Sequence, residues 1–217
     1  MFRQSSHPVL VLFFAFAFAN PVTGRAADNP MESVGIAHNQ YLDCLRTQAD
    51  SASDADAVIR TLFRQCGYGS GIQEDLFVRQ YGDLLEHQAE LVRIDAQWPL
   101  RGEFSQEEFE FLIAIQQSLL ASRDAPAADA ALARLEDQAN DLFDPRTRQG
   151  QAILAGLATA RHSVRYWSAF ADQNAIPYAY FIPVETADWI GSVIGTVAGG
   201  PHAGVAGGDP RVGGGPA

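Results

Sequence analysis

The sequence contains no lysine: all fifteen of its basic residues are arginine, set against 26 Asp and Glu. The missing lysine reads as compositional bias rather than as function. The shortage of positive charge does exclude partners. An acidic chain is repelled by phosphate backbones, so no nucleic acid is expected, and anionic membrane surfaces are disfavoured for the same reason. Cysteine is scarce too, with only Cys44 and Cys66. Neither sits in a C-x-x-C or beside a histidine motif, and neither is placed to anchor a lipoprotein near the N-terminus. The chain has no H-E-x-x-H, no G-x-S-x-G and no phosphate-binding glycine loop. It also lacks the paired Glu-x-x-His of a di-iron bundle. No cofactor and no metal site is expected. No stretch alternates as a strand does, and no repeat of fixed period occurs. The expected fold class is all-α: a single bundle of six to seven helices with a disordered Gly/Pro-rich tail.

Against these absences stands one long apolar run near the start. Pro8 to Ala19 is apolar throughout, Arg3 precedes it, and Gly24-Arg25-Ala26 offers a small-residue cleavage site. That is the pattern of a secretory signal peptide over residues 1–26. Twelve apolar residues are too few for a transmembrane anchor. The expected location is secreted or periplasmic, in a bacterium. Cleavage removes Arg3 and Arg25, leaving 13 arginines against 26 acids and a net charge of −13. The 191 residues that remain suffice for one domain with a sizeable core. In an oxidising compartment the cysteine pair favours a disulfide. Register argues the other way, because a hairpin turning near residue 52 would set Cys44 opposite residues near 60.

Residues 27–198 carry the helical periodicity. Asn29-Pro30 reads as an N-cap with Pro at the first helical position. Helix one follows to about Gln48, with Val34, His38, Tyr41, Leu42 and Leu45 on one stripe. Helix two carries Val58, Ile59, Leu62 and Cys66. Helix three is expected from about 73 to 97, ended by Trp98-Pro99. Ser105-Gln-Glu-Glu108 reads as a capping box for helix four, whose broad apolar arc suggests the centre of the bundle. Asp124-Ala-Pro126 starts helix five, with Ala131, Leu132, Leu135, Ala139 and Leu142 inward. Asp144-Pro145 starts helix six, with a seam of Ile153, Leu157, Ala160, Val164, Trp167 and Ala171. Residues 174–184 hold two prolines and are expected to be extended. A glycine-containing helix seven is expected over about 186–198. Residues 199–217 include eight Gly and three Pro, a composition that cannot offset its own ordering entropy.

Two polar groups and one small-residue spacing merit attention as sites. His38, Asn39 and Asp43 form the first, with His38 buried in the stripe of helix one. A lone helical histidine is more often a satisfied core residue than a ligand. Asp83, His87 and Glu90 share one face of helix three, which reads as a solvated charged face. His162 lies opposite the helix-six seam and is expected to be exposed, as is His87; His202 falls in the tail. The third feature is Gly191, Gly195 and Gly199, a small-residue spacing frequent where membrane helices approach closely. Membrane contact would then run through the C-terminal segment.

The segment Asn29-Pro-Met-Glu-Ser-Val-Gly-Ile-Ala-His-Asn-Gln-Tyr-Leu-Asp43 resembles the mature N-terminus of a group of uncharacterised secreted bacterial proteins, of the form N-P-x-x-x-x-G-x-x-H-N-x-x-L-D. Asp188 to Gly200 is similar to the Asp-led, Gly/Ala-rich ending that some of them share. The resemblance implies that Gly35, His38, Asn39, Leu42 and Asp43 act as a unit and implies no activity. Three functional readings follow, in this order. The first is a non-enzymatic binding or interaction module with a protein or cell-envelope partner. The second is a membrane-active protein using the C-terminal helix, and the third an enzyme with a site near His38.

Overall fold

The computed structural model describes residues 29–48, 54–68, 73–86 and 93–199. The signal-peptide segment, His87, Glu90 and the tail beyond Gly199 lie outside them, as does the side chain of Asp83. Within the described residues the fold is all-helical. The helices are α1 (Glu32–Gln48), α2 (Ala55–Arg64), α3 (Glu74–Glu86), α4 (Gln106–Ala121), α5 (Ala125–Leu142), α6 (Arg148–Asn174) and α7 (Ile182–Gly199). Short 3-10 turns at Arg101–Glu103 and Tyr178–Tyr180 precede α4 and α7.

The caps explain most of the boundaries. Ser105 and Glu108 form the reciprocal capping box that their spacing predicts. Asp54 caps α2 by accepting from Ala57 N, and Asp124 caps α5 by accepting from Ala127 N. Asp144-Pro145 does not start α6. Thr147 is the cap, accepting from Gly150 N, while Asp144 closes the preceding turn against Arg146. Asn29 accepts from Met31 N, and α1 proper begins at Glu32.

Four expectations need correction. Residues 93–98 are not helical: Ile94 and Trp98 are buried in a turn, where Gln116 of α4 accepts from Ile94 N. Residues 174–184 are not extended. They form the Tyr178–Tyr180 turn and the start of α7, because Pro183 falls in the first helical turn, where its missing N–H is harmless. Leu142 is exposed, because it closes the last turn of α5 beyond the packed stretch. The central helix is α7 rather than α4. Every residue from Glu185 to Val197 is buried, whereas Leu120 of α4 is 58% exposed. A helix covered on all sides is a core element. Among the described residues, no helix is long and apolar enough to cross a membrane.

The core is built on α6, which packs on α7, α1 and α5. Small residues permit the close approach. A Cβ on Gly35 would come within 2.5 Å of the Ala158 carbonyl oxygen, and one on Gly156 within 2.7 Å of Val193. The buried carboxylate of Glu136 in α5 is held by Arg161 of α6 and by Asn29 Nδ2 at 2.6 Å. Asn29 also donates to Leu154 O at 2.8 Å, so the start of the described chain is tied between α5 and α6. Cys44 and Cys66 are joined, their Cα atoms 5.8 Å apart. The register objection fails because Cys66 lies past the end of α2. There Cys66 N still donates to Thr61 O, and Gly67 turns the chain at a positive φ of 73°.

Candidate functional site

His38 stands at the centre of the α1 stripe and is fully buried. Its Nε2 lies 3.5 Å from Oδ1 of Asp188 on α7, which is 1% exposed. Its Nδ1 lies 3.1 Å from Asn39 Oδ1. Asn39 is oriented by donating from Nδ2 to His162 O at 2.9 Å, so its Oδ1 is left to accept. Both ring nitrogens of His38 therefore face acceptors. A ring protonated at both nitrogens serves the two together, and a neutral ring serves one.

The other oxygen of Asp188 accepts from Ser163 Oγ at 2.6 Å and from Trp167 Nε1 at 3.2 Å, both from α6. The carboxylate is thus enclosed by α1, α6 and α7, which is how a buried charge is tolerated. The hydroxyl bonds the carboxylate and not the imidazole. The order Ser–Asp–His cannot pass a proton from serine to histidine, so the geometry is not that of a nucleophile and its base.

Just over one turn from this cluster toward the aromatic end, Asp43 accepts from Tyr166 Oη at 2.9 Å. Burial, with Asp43 beside it, pushes the Tyr166 phenol up to about 12. Trp167 stacks on Phe181 with ring centroids 5.1 Å apart, and Phe170 meets Phe181 edge-on at 5.9 Å. Arg46 lies 6.0 Å above the Phe170 ring. Tyr180 on the adjoining turn is 72% exposed, and Ile176 is exposed beside it. This aromatic end covers the polar cluster.

Beneath it lies Glu185, in the first turn of α7 and fully buried. Tyr178 Oη donates to its Oε2 at 2.6 Å, while Oε1 is buried without a hydrogen-bond partner. Burial, helped by the neighbouring Asp188, pushes the Glu185 carboxyl up to about 7, although the Tyr178 hydrogen bond favours the charged form. Burial and the Glu185 contact push the Tyr178 phenol well above its usual range.

No protein-family model, curated protein or solved structure matches this chain.

The three residues singled out from sequence are all brought against α6 or α7, His38 in the interior, Asn39 half-buried and Asp43 at the exposed edge. His162 departs from expectation. It is half-buried and pairs with Glu32 at 2.8 Å, because α1 covers the face of α6 that the seam argument left to solvent. That contact holds the Glu32 carboxyl below its usual range. Among the described residues, no three His, Cys, Asp or Glu side chains stand close enough to hold a metal. Sequence reasoning missed Asp188, Ser163, Trp167 and Glu185 as site residues. The available signal was two acids inside the apolar stretch that forms α7, since a buried acid needs partners.

Proposed function

We propose that this protein is an extracytoplasmic, non-enzymatic interaction module that binds a protein partner of the cell envelope or its surroundings through the aromatic end of the bundle. The observation that carries the reading is the division of labour between two neighbouring groups. His38, Asp188 and Ser163 are sealed in the core and engaged with one another or with neighbouring groups, which suits holding helices together and not meeting a substrate. Directly outside them, Trp167, Phe170, Tyr180 and Arg46 form a part-exposed group of the residue types that dominate protein interfaces. The disulfide favours an oxidising compartment. Membrane activity through α7 is disfavoured because that helix would have to leave the core it fills.

The test uses the mature protein recovered from the envelope and medium of its source, with partners identified by cross-linking. Tyr180→Asp and Phe170→Ala are expected to abolish the cross-linked species with little change in melting temperature. Cross-linking that survives both substitutions overturns the reading. So does a hydrolytic or transfer activity that Asp188→Asn removes while the fold is retained.

A further inference from the structure

We propose that the α6–α7 connection, residues 175–181, is a lid that packs over Trp167, Phe170 and Glu185 in acid and opens as the pH rises, with Glu185 as its latch. The consequence for binding rests on the reading above; the lid itself does not.

The geometry supplies a hinge, a latch and something to cover. At the hinge, Ala175 has φ 54°. This is the left-handed position that ends many helices and that usually falls to glycine. Alanine there is strained, so the segment leaves α6 under tension. The connection then makes few backbone bonds of its own: Ile176 N to Ala171 O, Tyr180 N to Pro177 O and Phe181 N to Tyr178 O. Its closure depends on side-chain contacts. Phe181 stacks on Trp167 and meets Phe170 edge-on, and the Tyr178 hydroxyl reaches Glu185.

The Tyr178 hydrogen bond by itself suits a charged Glu185, but the closed lid buries the carboxyl, and that burial opposes the charge by more. One carboxyl oxygen is buried with no partner, and a buried charge with an unsatisfied oxygen is strongly disfavoured. Among the described residues, the groups that act on it offer no countercharge. Tyr178 approaches from the lid, and Asp188 follows one turn along α7 and repels a second negative charge. Asp124 at the start of α5 acts on Tyr178 in the same sense. From α6 come Ser163 and Trp167, both committed to Asp188. His38 of α1 faces Asp188 as well. When Glu185 loses its proton, the cheapest relief is to let water reach it, and the element in the way is the lid. The carboxyl is already pushed up to about 7, so this change falls within the range a secreted protein meets.

Hydrogen exchange of the full mature chain at pH 6 and pH 8, expressed as protection factors, tests the lid without any partner. A carboxyl near 7 in the closed state gains about tenfold in opening over those two units. The amides of Ile176, Tyr180, Phe181 and Glu185 should therefore lose about tenfold in protection, while those of residues 155–160 in α6 do not change. Glu185→Gln keeps an oxygen for Tyr178 and cannot ionise; its lid should stay protected at both pH values. Tyr178→Phe should lower protection at pH 8 below the wild-type level, which gives a second readout if the glutamine variant does not fold. Equal wild-type protection at the two pH values, or an undiminished response in Glu185→Gln, overturns the proposal. A lid that responds as expected in a protein whose cross-linking ignores Tyr180→Asp leaves the lid standing and removes the binding surface.

Discussion

His38 shows how a residue can be located from sequence while its role is not. Its burial follows from the angle it occupies on α1, and the structure places it there. Its partner Asp188 lies at the far end of the chain and has no local mark except that an acid stands in an apolar run. Ser163 and Trp167 are harder still, since they meet Asp188 only through the pairing of α6 with α7. His162 was misjudged because the seam of a helix defines one buried face, and α6 has more than one. The structure also sharpens what replacing His38 should do. His38→Leu leaves Asp188 buried without the group facing Oδ1, and breaking a buried pair from one side costs about 3–5 kcal/mol. Urea denaturation should show a loss of that order, with part recovered in the His38→Leu, Asp188→Leu double variant. A simple sum of the two single losses would mean that the residues are not coupled.

At the scale of the element, the periodic stretches were legible and their ends less so. The capping box of α4 and the Asp cap of α5 follow from side chains three residues apart, so the sequence contains the whole device. The start of α7 was missed because prolines at 177 and 183 look like breakers, and whether a proline ends or opens a helix depends on the turn it falls in. The Asn29–Asp43 segment gains a physical meaning here. Asn29 bonds to Glu136 and Leu154 O, Gly35 touches the α6 backbone, Asn39 bonds to His162 O and Asp43 bonds to Tyr166. The motif is the surface by which α1 docks on α6. Gly35→Ala tests that docking. Its methyl would meet a backbone oxygen at 2.5 Å, and main chain yields poorly, so overpacking should cost about 1–3 kcal/mol. The expected signature is a lower melting temperature with a downfield or upfield shift of the His162 ring signals, which sit against the same position. An unchanged melting temperature would place α1 less tightly than described.

Taken whole, the molecule combines a single packed core with charges that make its stability depend on pH. The folded Glu185 carboxyl is raised from its ordinary 4.5 to about 7. A raised carboxyl stabilises the fold fully below the unfolded value, and that contribution is lost as pH rises through the folded value. The window is therefore from about 4.5 to just above 7, and the loss is at most about 3 kcal/mol. Unfolding midpoints in urea should fall across that window in the wild type and stay nearly level in Glu185→Gln; parallel slopes would assign the change to other groups. The contact between α1 and α7 also bears on the order of synthesis. Asn39 finds its acceptor 123 residues further on, and His38 waits longer still. In a nascent chain Tyr41 of α1 can meet Tyr68 early, whereas His38 and Asn39 have no partner on α6 or α7 until those helices have been made. Closing so long a loop slows folding for a helical protein. The docking of α1 on α6 and α7 is consequently among the last contacts that a chain emerging in order can make.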